Sequence, residues 1–205
     1  MDDPPAAPAP VEMESRLVDG TRVLFRPIRA DDKERLQKGL QRLSPEARYM
    51  RFFRHVDRFT DEELRYLTEI DMVDHVAWVA ALPDEPGAPG VGVARWIRME
   101  ADAAVAEGAV TVIDDYQGKG IGSTLLYLAA RSALERGVRA FRVYTLGDNH
   151  RVMEILDSLG ALPGGWDGGV LELTVPLPAS LEQLETSAPH MILRAAAEGA
   201  LEEPG

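Results

Sequence analysis

Residues 112–124 read Val-Ile-Asp-Asp-Tyr-Gln-Gly-Lys-Gly-Ile-Gly-Ser-Thr, a strand end that runs into a glycine-dense turn and then a helix. This run constrains the fold because it is suited to hold a phosphate with backbone rather than with side chains. Gly118, Gly120 and Gly122 can take backbone angles closed to other residues and let a ligand approach the main chain. The first N–H groups of the following helix lack intrahelical partners, and the helix dipole adds partial positive charge there. A pyrophosphate fits such a place without a dedicated arginine.

Spacing separates the possible phosphate loops. A P-loop needs Gly, four residues, then Gly-Lys-Ser/Thr, but Lys119 precedes Gly120, and Ser123-Thr124 follow a glycine directly. A dinucleotide fingerprint from Gly118 would need glycine at position 123, which is Ser, and would open the first βαβ unit rather than lie past mid-chain. What remains is Gln-x-x-Gly-x-Gly, carried by Gln117, Gly120 and Gly122 after a Val-rich strand. An ordinary strand–turn–helix with convenient glycines is the alternative.

Residues 1–13, rich in Pro and Ala, are expected to be a disordered leader. Asp19-Gly20 marks a hairpin between Arg16–Val18 and Thr21–Pro27. Asp31 and Asp32 can cap a helix to about Leu43. Ser44-Pro45 starts a second helix to about Phe53, and Thr60–Glu63 is a capping box for a third, through about Ile70. Strands are expected at His75–Ala81, Val91–Met99 and Val105–Ile113. The helix after the glycine turn carries Ile121, Leu125, Leu128, Ala129 and Ser132 on one face and ends at Gly137. Then come a strand at Ala140–Leu146, a helix capped by Asp148 and stopped by Gly160, and a last strand at Val170–Val175. The order β-α-α-α-β-β-β-α-β-α-β is a mixed α/β (α+β) sandwich, not a doubly wound sheet. Residues 179–205 read as a partly helical tail that packs against the body or a partner.

At 205 residues, one domain over 14–178 is the natural prior. No segment reaches the roughly 20 apolar residues of a membrane span, and the N-terminus lacks a signal-peptide pattern, so a soluble cytoplasmic protein is expected without membrane attachment. The absence of cysteine excludes disulfides, thiolate metal sites and a Cys acyl-enzyme. No His/Asp/Glu spacing suggests a metal site. A net charge of −12 argues against a nucleic-acid partner. It is compatible with a cationic acceptor such as an amine, or with solubility alone.

Gln117, Gly120 and Gly122 resemble the acyl-CoA loop of the GNAT superfamily of N-acetyltransferases, and the element order over residues 16–177 resembles theirs. Ala106–Gln117 is similar to the corresponding strand of bacterial GNAT protein lysine acetyltransferases, as are Leu43–Phe53 to their substrate-side helix and Ile70-Asp71 with His75 to the approach to the next strand. The resemblance implies a GNAT fold with a central sheet of six to seven strands, the two central ones splayed. It implies acetyl-CoA as cosubstrate, no metal, and an amine acceptor, foremost a protein lysine; a homodimer is allowed. Some relatives carry a fused nucleotide-binding domain, for which this chain is expected to have no room.

The resemblance puts catalysis on Glu107, ten residues before Gln117. The alternative there is a solvated strand-face carboxylate. It puts cofactor contacts on Val112 and Ile113, whose backbone would pair with pantetheine amides, and on Gln117, Gly118, Lys119, Gly120, Ile121, Gly122, Ser123 and Asn149. Asn149 could equally just start a helix, and Lys119 could point to water. Many GNAT enzymes place a Tyr seven residues after that Asn to protonate the departing thiolate; here position 156 is Leu. Asp114 and Asp115 are expected to shape the turn only. His75 and His150 are expected to be structural, and Trp78 and Trp96 to be core. Tyr49–Arg54 reads as a wall of the acceptor cleft or as core packing.

A lysine amine, with pKa ~10.4, costs about 4.6 kcal/mol to deprotonate at pH 7, and a positioned carboxylate can take that proton. Two other readings stay open: acetylation of a small amine or amino acid, and a non-catalytic acyl-CoA-binding sensor.

Overall fold

The computed structural model describes residues 12–186, so residues 1–11 and most of the expected tail lie outside the described residues. Strands β1 (Met13–Arg16) and β2 (Arg22–Pro27) form the first hairpin. Its turn is wider than expected. Arg16 pairs with Arg22, and residues 17–21 close the loop with Gly20 at φ 84°. The first strand therefore lies upstream of Leu17 and Val18, and Met13, at the end of the expected leader, already belongs to it.

Three helices follow, α1 (Lys33–Arg42), α2 (Pro45–Phe52) and α3 (Asp61–Thr68). Ser44 caps α2 by accepting from the Ala47 N–H at 3.1 Å, and Thr60 with Glu63 forms the expected capping box of α3. The start of α1 departs from expectation. No side chain caps it; the buried Asp32 carboxylate instead accepts from the Arg26 guanidinium at 2.6 and 2.7 Å and from the Arg29 N–H. A bidentate, desolvated arginine is a stronger partner for a carboxylate than a helix N–H.

Strands β3 (His75–Ala81), β4 (Gly90–Met99) and β5 (Asp102–Val112) form a meander, and α4 (Ile121–Glu135) crosses over to β6 (Ala140–Leu146). Helix α5 (His150–Ser158), β7 (Leu162–Asp167), β8 (Val170–Pro176) and α6 (Leu181–Thr186) complete the described chain. Asn149, not Asp148, caps α5, accepting from the Val152 N–H at 3.3 Å. In α6, Leu184 is fully buried, so this start of the tail packs on the body.

The sheet has eight strands rather than six to seven, in the order β1-β2-β3-β4-β5-β6-β8-β7. The unexpected strand is β7. Pro163, Gly164 and Gly165 disfavour a central strand, but an exposed edge tolerates them. Every strand pair is antiparallel except β5–β6, joined in parallel through α4.

Helix α4 seats on one face of the sheet and α1–α3 cover the other. On the α4 face, Trp78 and Trp96 are buried as expected, and both indole N–H groups donate to the Ser132 hydroxyl, at 3.3 and 3.0 Å. Ser132 therefore belongs on the apolar face of α4 as the shared acceptor of two tryptophans. Gly92 lets the helix approach: a Cβ there would lie 2.9 Å from Leu125 Cδ1 and 3.2 Å from the Thr111 carbonyl.

Candidate active site

The parallel ladder between β5 and β6 covers only Val105–Glu107 against Ala140–Arg142. Beyond Glu107 and Arg142 the two strands have no pairing, and a gap opens in the sheet. Antiparallel ladders turn alternate residues toward opposite neighbours. Because Ile113 donates to the Val91 carbonyl at 2.9 Å, its neighbour Val112 turns its backbone groups away from β4, toward the gap. Ile113 also accepts from the Tyr116 N–H at 2.8 Å, so both its backbone groups are engaged. Of the two residues expected to offer backbone there, Val112 alone turns toward the gap, with its N–H open and its carbonyl accepting from the Gln117 side chain.

The glycine turn leads from this gap into α4. Gly118 (φ 75°) and Gly120 (φ 82°) take left-handed angles that a side chain would strain, and no side chain caps α4. Ile121 is buried and pins the first turn to the core, while Gly122 and Ser123 are half-buried beside it. Gln117 folds back, donating from Nε2 to the Val112 carbonyl at 3.1 Å. Asp114 accepts from the N–H and hydroxyl of Ser44, which ties the turn to α2. Lys119 lies over the Tyr116 ring at 5.0 Å and 3.7 Å from Asp19, held by the protein's own groups.

Arg151, on α5, donates to Gln117 Oε1 at 3.3 Å and also lies 3.9 Å from the point where a Cβ on Gly118 would stand. It therefore adds a cation to the glycine turn. The only trace of it in the sequence is a basic residue two positions after Asn149, and folding alone carries it to the loop. Asn149 keeps its side-chain oxygen on the α5 backbone. His150 is exposed at the start of that helix. Leu156 is buried.

Side chains at alternate strand positions share a face. Glu107, Ala109 and Thr111 of β5 thus lie with Val93, Arg95 and Ile97 of β4, and with Arg142 and Tyr144 of β6, on the side covered by α1–α3. Glu107 is exposed at the mouth of the gap. Burial lowers the Arg51 guanidinium on α2 below its ordinary value, and the Glu107 charge offsets part of that. Burial, then the carboxylates of Glu172 and Glu107, raise the Tyr144 hydroxyl. Glu107 is thus coupled by charge to both Arg51 and Tyr144.

Arg95 is 7 % exposed; burial and the charge of Arg51 push it down to about 10, so it stays cationic near neutrality. It donates to the Leu67 carbonyl at 2.7 Å and to His75 Nε2. Burial and Arg95 push His75 down to about 4, so its ring is neutral and accepts. On α2, Phe52 packs edge-on against Phe59 at 5.6 Å, whereas Tyr49 is 42 % exposed and Arg51 lines a cavity. The helix both packs on the core and lines that cavity.

These features fit acyl-CoA in its two parts. The uncapped α4 start, left-handed glycines and Arg151 suit a pyrophosphate, and the Val112 backbone at an open strand gap suits an extended amide chain.

Residues 22–162 match the family described as Acetyltransferase (GNAT) domain, whose members use acetyl-CoA. The chain is 37 % identical over 171 residues to acetyltransferase Pat of Mycolicibacterium smegmatis, covering 83 % of this chain and 49 % of that protein. It is 31 % identical over 144 residues to acetyltransferase PA5475 of Pseudomonas aeruginosa, covering 70 % of this chain and 77 % of that one. The crystal structure of the GNAT domain of S. lividans PAT superposes with a TM-score of 0.72 at 32 % identity, over 81 % of this chain and 97 % of that one. The chain spans about half the length of the Pat relative it matches. With matching extending over most of the described residues, from the first hairpin through α5, the chain belongs to the GNAT acetyltransferase family.

Proposed function

We propose that the protein transfers an acetyl group from acetyl-CoA to the side-chain amine of a protein lysine, with Glu107 as general base. The observation that carries this reading is the position of Glu107. It is the last β5 residue paired to β6, so its carboxylate stands where the gap opens, on the face opposite α4. An amine arriving from the α1–α3 side would meet that carboxylate before it meets the gap.

The residues divide the work. The first turn of α4, Gly118, Gly120, Gly122, Ser123 and Arg151 hold the pyrophosphate, and the Val112 backbone orients the pantetheine arm. Acetyl-CoA supplies the thioester. Glu107 takes the ammonium proton, directly or through a water, offsetting the roughly 4.6 kcal/mol that a neutral lysine costs at pH 7. The Arg51 guanidinium lies near enough for its charge to be coupled to Glu107. Buried Leu156 cannot donate a proton to the departing thiolate, whose pKa near ~8.5 lets solvent do so.

Labelled acetyl-CoA in a cell lysate, read by mass spectrometry, tests the acceptor. Acetyl-lysine in proteins supports the reading; label found only on small amines replaces the acceptor class. Glu107→Gln tests the base: turnover should fall by about 10²–10⁴ while acetyl-CoA binding persists. Unchanged turnover would remove Glu107 from the mechanism.

A further inference from the structure

Between α1–α3 and the sheet lies a cavity of about 90 Å³. It is lined by four arginines, Arg26, Arg35, Arg51 and Arg95, against one carboxylate, Asp32. That carboxylate is already saturated by Arg26, Arg35 and the Arg29 N–H. Neither Arg51 nor Arg95 has an ion pair among the described residues; burial and the Arg51 charge both disfavour the Arg95 cation, and at Arg51 the Glu107 charge offsets only part of the cost of burial. The Arg95 partners, His75 and a carbonyl, are neutral and leave the rest of its donor fork free. Thr111 Oγ1, buried in the same lining, has no hydrogen-bond partner among the described residues. In a chain of net charge −12, an unpaired cationic cavity with an unsatisfied hydroxyl is a local reversal of sign.

We propose that this cavity binds a carboxylate, and that the carboxylate belongs to the acyl acceptor. Buried cations are retained where they are paired, and the missing partner here is an anion. A planar carboxylate matches the fork of a guanidinium and can accept from a hydroxyl beside it. The volume exceeds the ~10–15 Å³ that a single water needs, leaving room for the end of an acidic side chain. Arg51 links the two places, because its charge is coupled both to Arg95 in the cavity and to Glu107 at the gap. An acceptor anchored there would present an amine to Glu107 from a fixed distance. The acceptor class is therefore an amine with a carboxylate within side-chain reach: a lysine flanked by an acidic residue, or a free amino acid. The acceptor half of the proposal rests on the acetyl-transfer reading; the anion site does not.

Calorimetric titration of the intact chain with succinate, and with neutral succinamide, tests the site without any turnover. Saturable binding of succinate alone is expected, weakened at least tenfold by Arg95→Met and less by Thr111→Val. No saturable succinate binding overturns the site, as does equal affinity in the folded Arg95→Met protein. If Arg95→Met fails to fold, Arg51→Met and Thr111→Val provide the same comparison. For the acceptor, lysine peptides with a flanking Glu or Gln are compared under acetyl-CoA. The Glu peptide should show about tenfold higher kcat/KM through a lower KM, and the ratio should approach one in Arg95→Met. Faster acetylation of free amino acids than of either peptide assigns the carboxylate to a small molecule. Equal rates for the two peptides overturn the acceptor assignment. Succinate binding without any acetyl-CoA binding would leave the anion site standing and sink the acetyl-transfer reading instead.

Discussion

The two faces of the sheet solve opposite problems. Under α4 the interior is apolar and filled: Ile121, Leu125 and Trp96 are almost fully buried, and the two indole N–H groups converge on one hydroxyl. Each such large side chain contributes about 1.5–3 kcal/mol relative to exposure. Under α1–α3 the same sheet carries arginines, an unpaired threonine hydroxyl and a cavity. One face holds the fold together, and the other keeps charge and space that stability alone would remove. The gap between β5 and β6 lies between them, with the glycine turn at its α4 side and Glu107 at its other.

Substitutions on each face should therefore separate rate from stability. The largest effect is expected at Glu107→Gln, which should cost about 3–5 kcal/mol in the barrier with an unchanged melting midpoint. A lower midpoint of similar size would mean that Glu107 is structural and would break the division. On the filled face, Ser132→Ala leaves two buried indole N–H groups without an acceptor. Unfolding in urea should show a loss of about 2–3 kcal/mol, with acetyl-CoA affinity retained in the folded fraction. Cofactor affinity falling in step with stability would show that the faces are coupled.

His75 offers a pH test of the charged face. Its folded value, about 4, lies below the ordinary 6.5, so the unfolded chain takes up the proton first on acidification. Stability from neutral His75 is complete above pH 6.5 and fades as pH falls toward 4. His75→Gln should flatten the urea midpoint between pH 7 and 4.5; an equally steep fall in the variant would assign the slope elsewhere. The smallest effects are expected at the cofactor loop. Arg151→Ala should raise the KM for acetyl-CoA by roughly five- to tenfold, about the loss of one ordinary hydrogen bond. Lys119→Ala, whose ammonium is held over Tyr116 and near Asp19, should change it by less than about threefold.

Local chemistry made much of the chain readable. The Ser44 and Thr60 caps and the glycine turn lie where their residue types place them, because a cap or a left-handed turn involves only neighbours in sequence. Where the expectation and the structure part, a distant partner decides. Asp32 left its helix for Arg26, and β7 forms despite Pro163 and two glycines because β8 provides an edge to pair with. The backbone of Ile113 closed on Val91 and Tyr116, since ladder alternation depends on which residue of β4 lies opposite.

By itself, the sequence determined the order of the elements apart from β7, the glycine turn at Gln117–Gly122 and the spacing from that turn to Glu107. These follow from periodicity, caps and the unusual angles that glycine permits, all of them short-range. Only the tertiary structure decided which charges meet. Arg95 reads in sequence as an ordinary strand residue, and Arg51 as one of several arginines on a helix; folding buried Arg95 and brought the half-buried Arg51 to the same cavity, with no ion pair to either among the described residues. Burial and pairing are sums over residues far apart in the chain. Spacing along it cannot set them, because they arise only when β4, β5 and α2 close on each other.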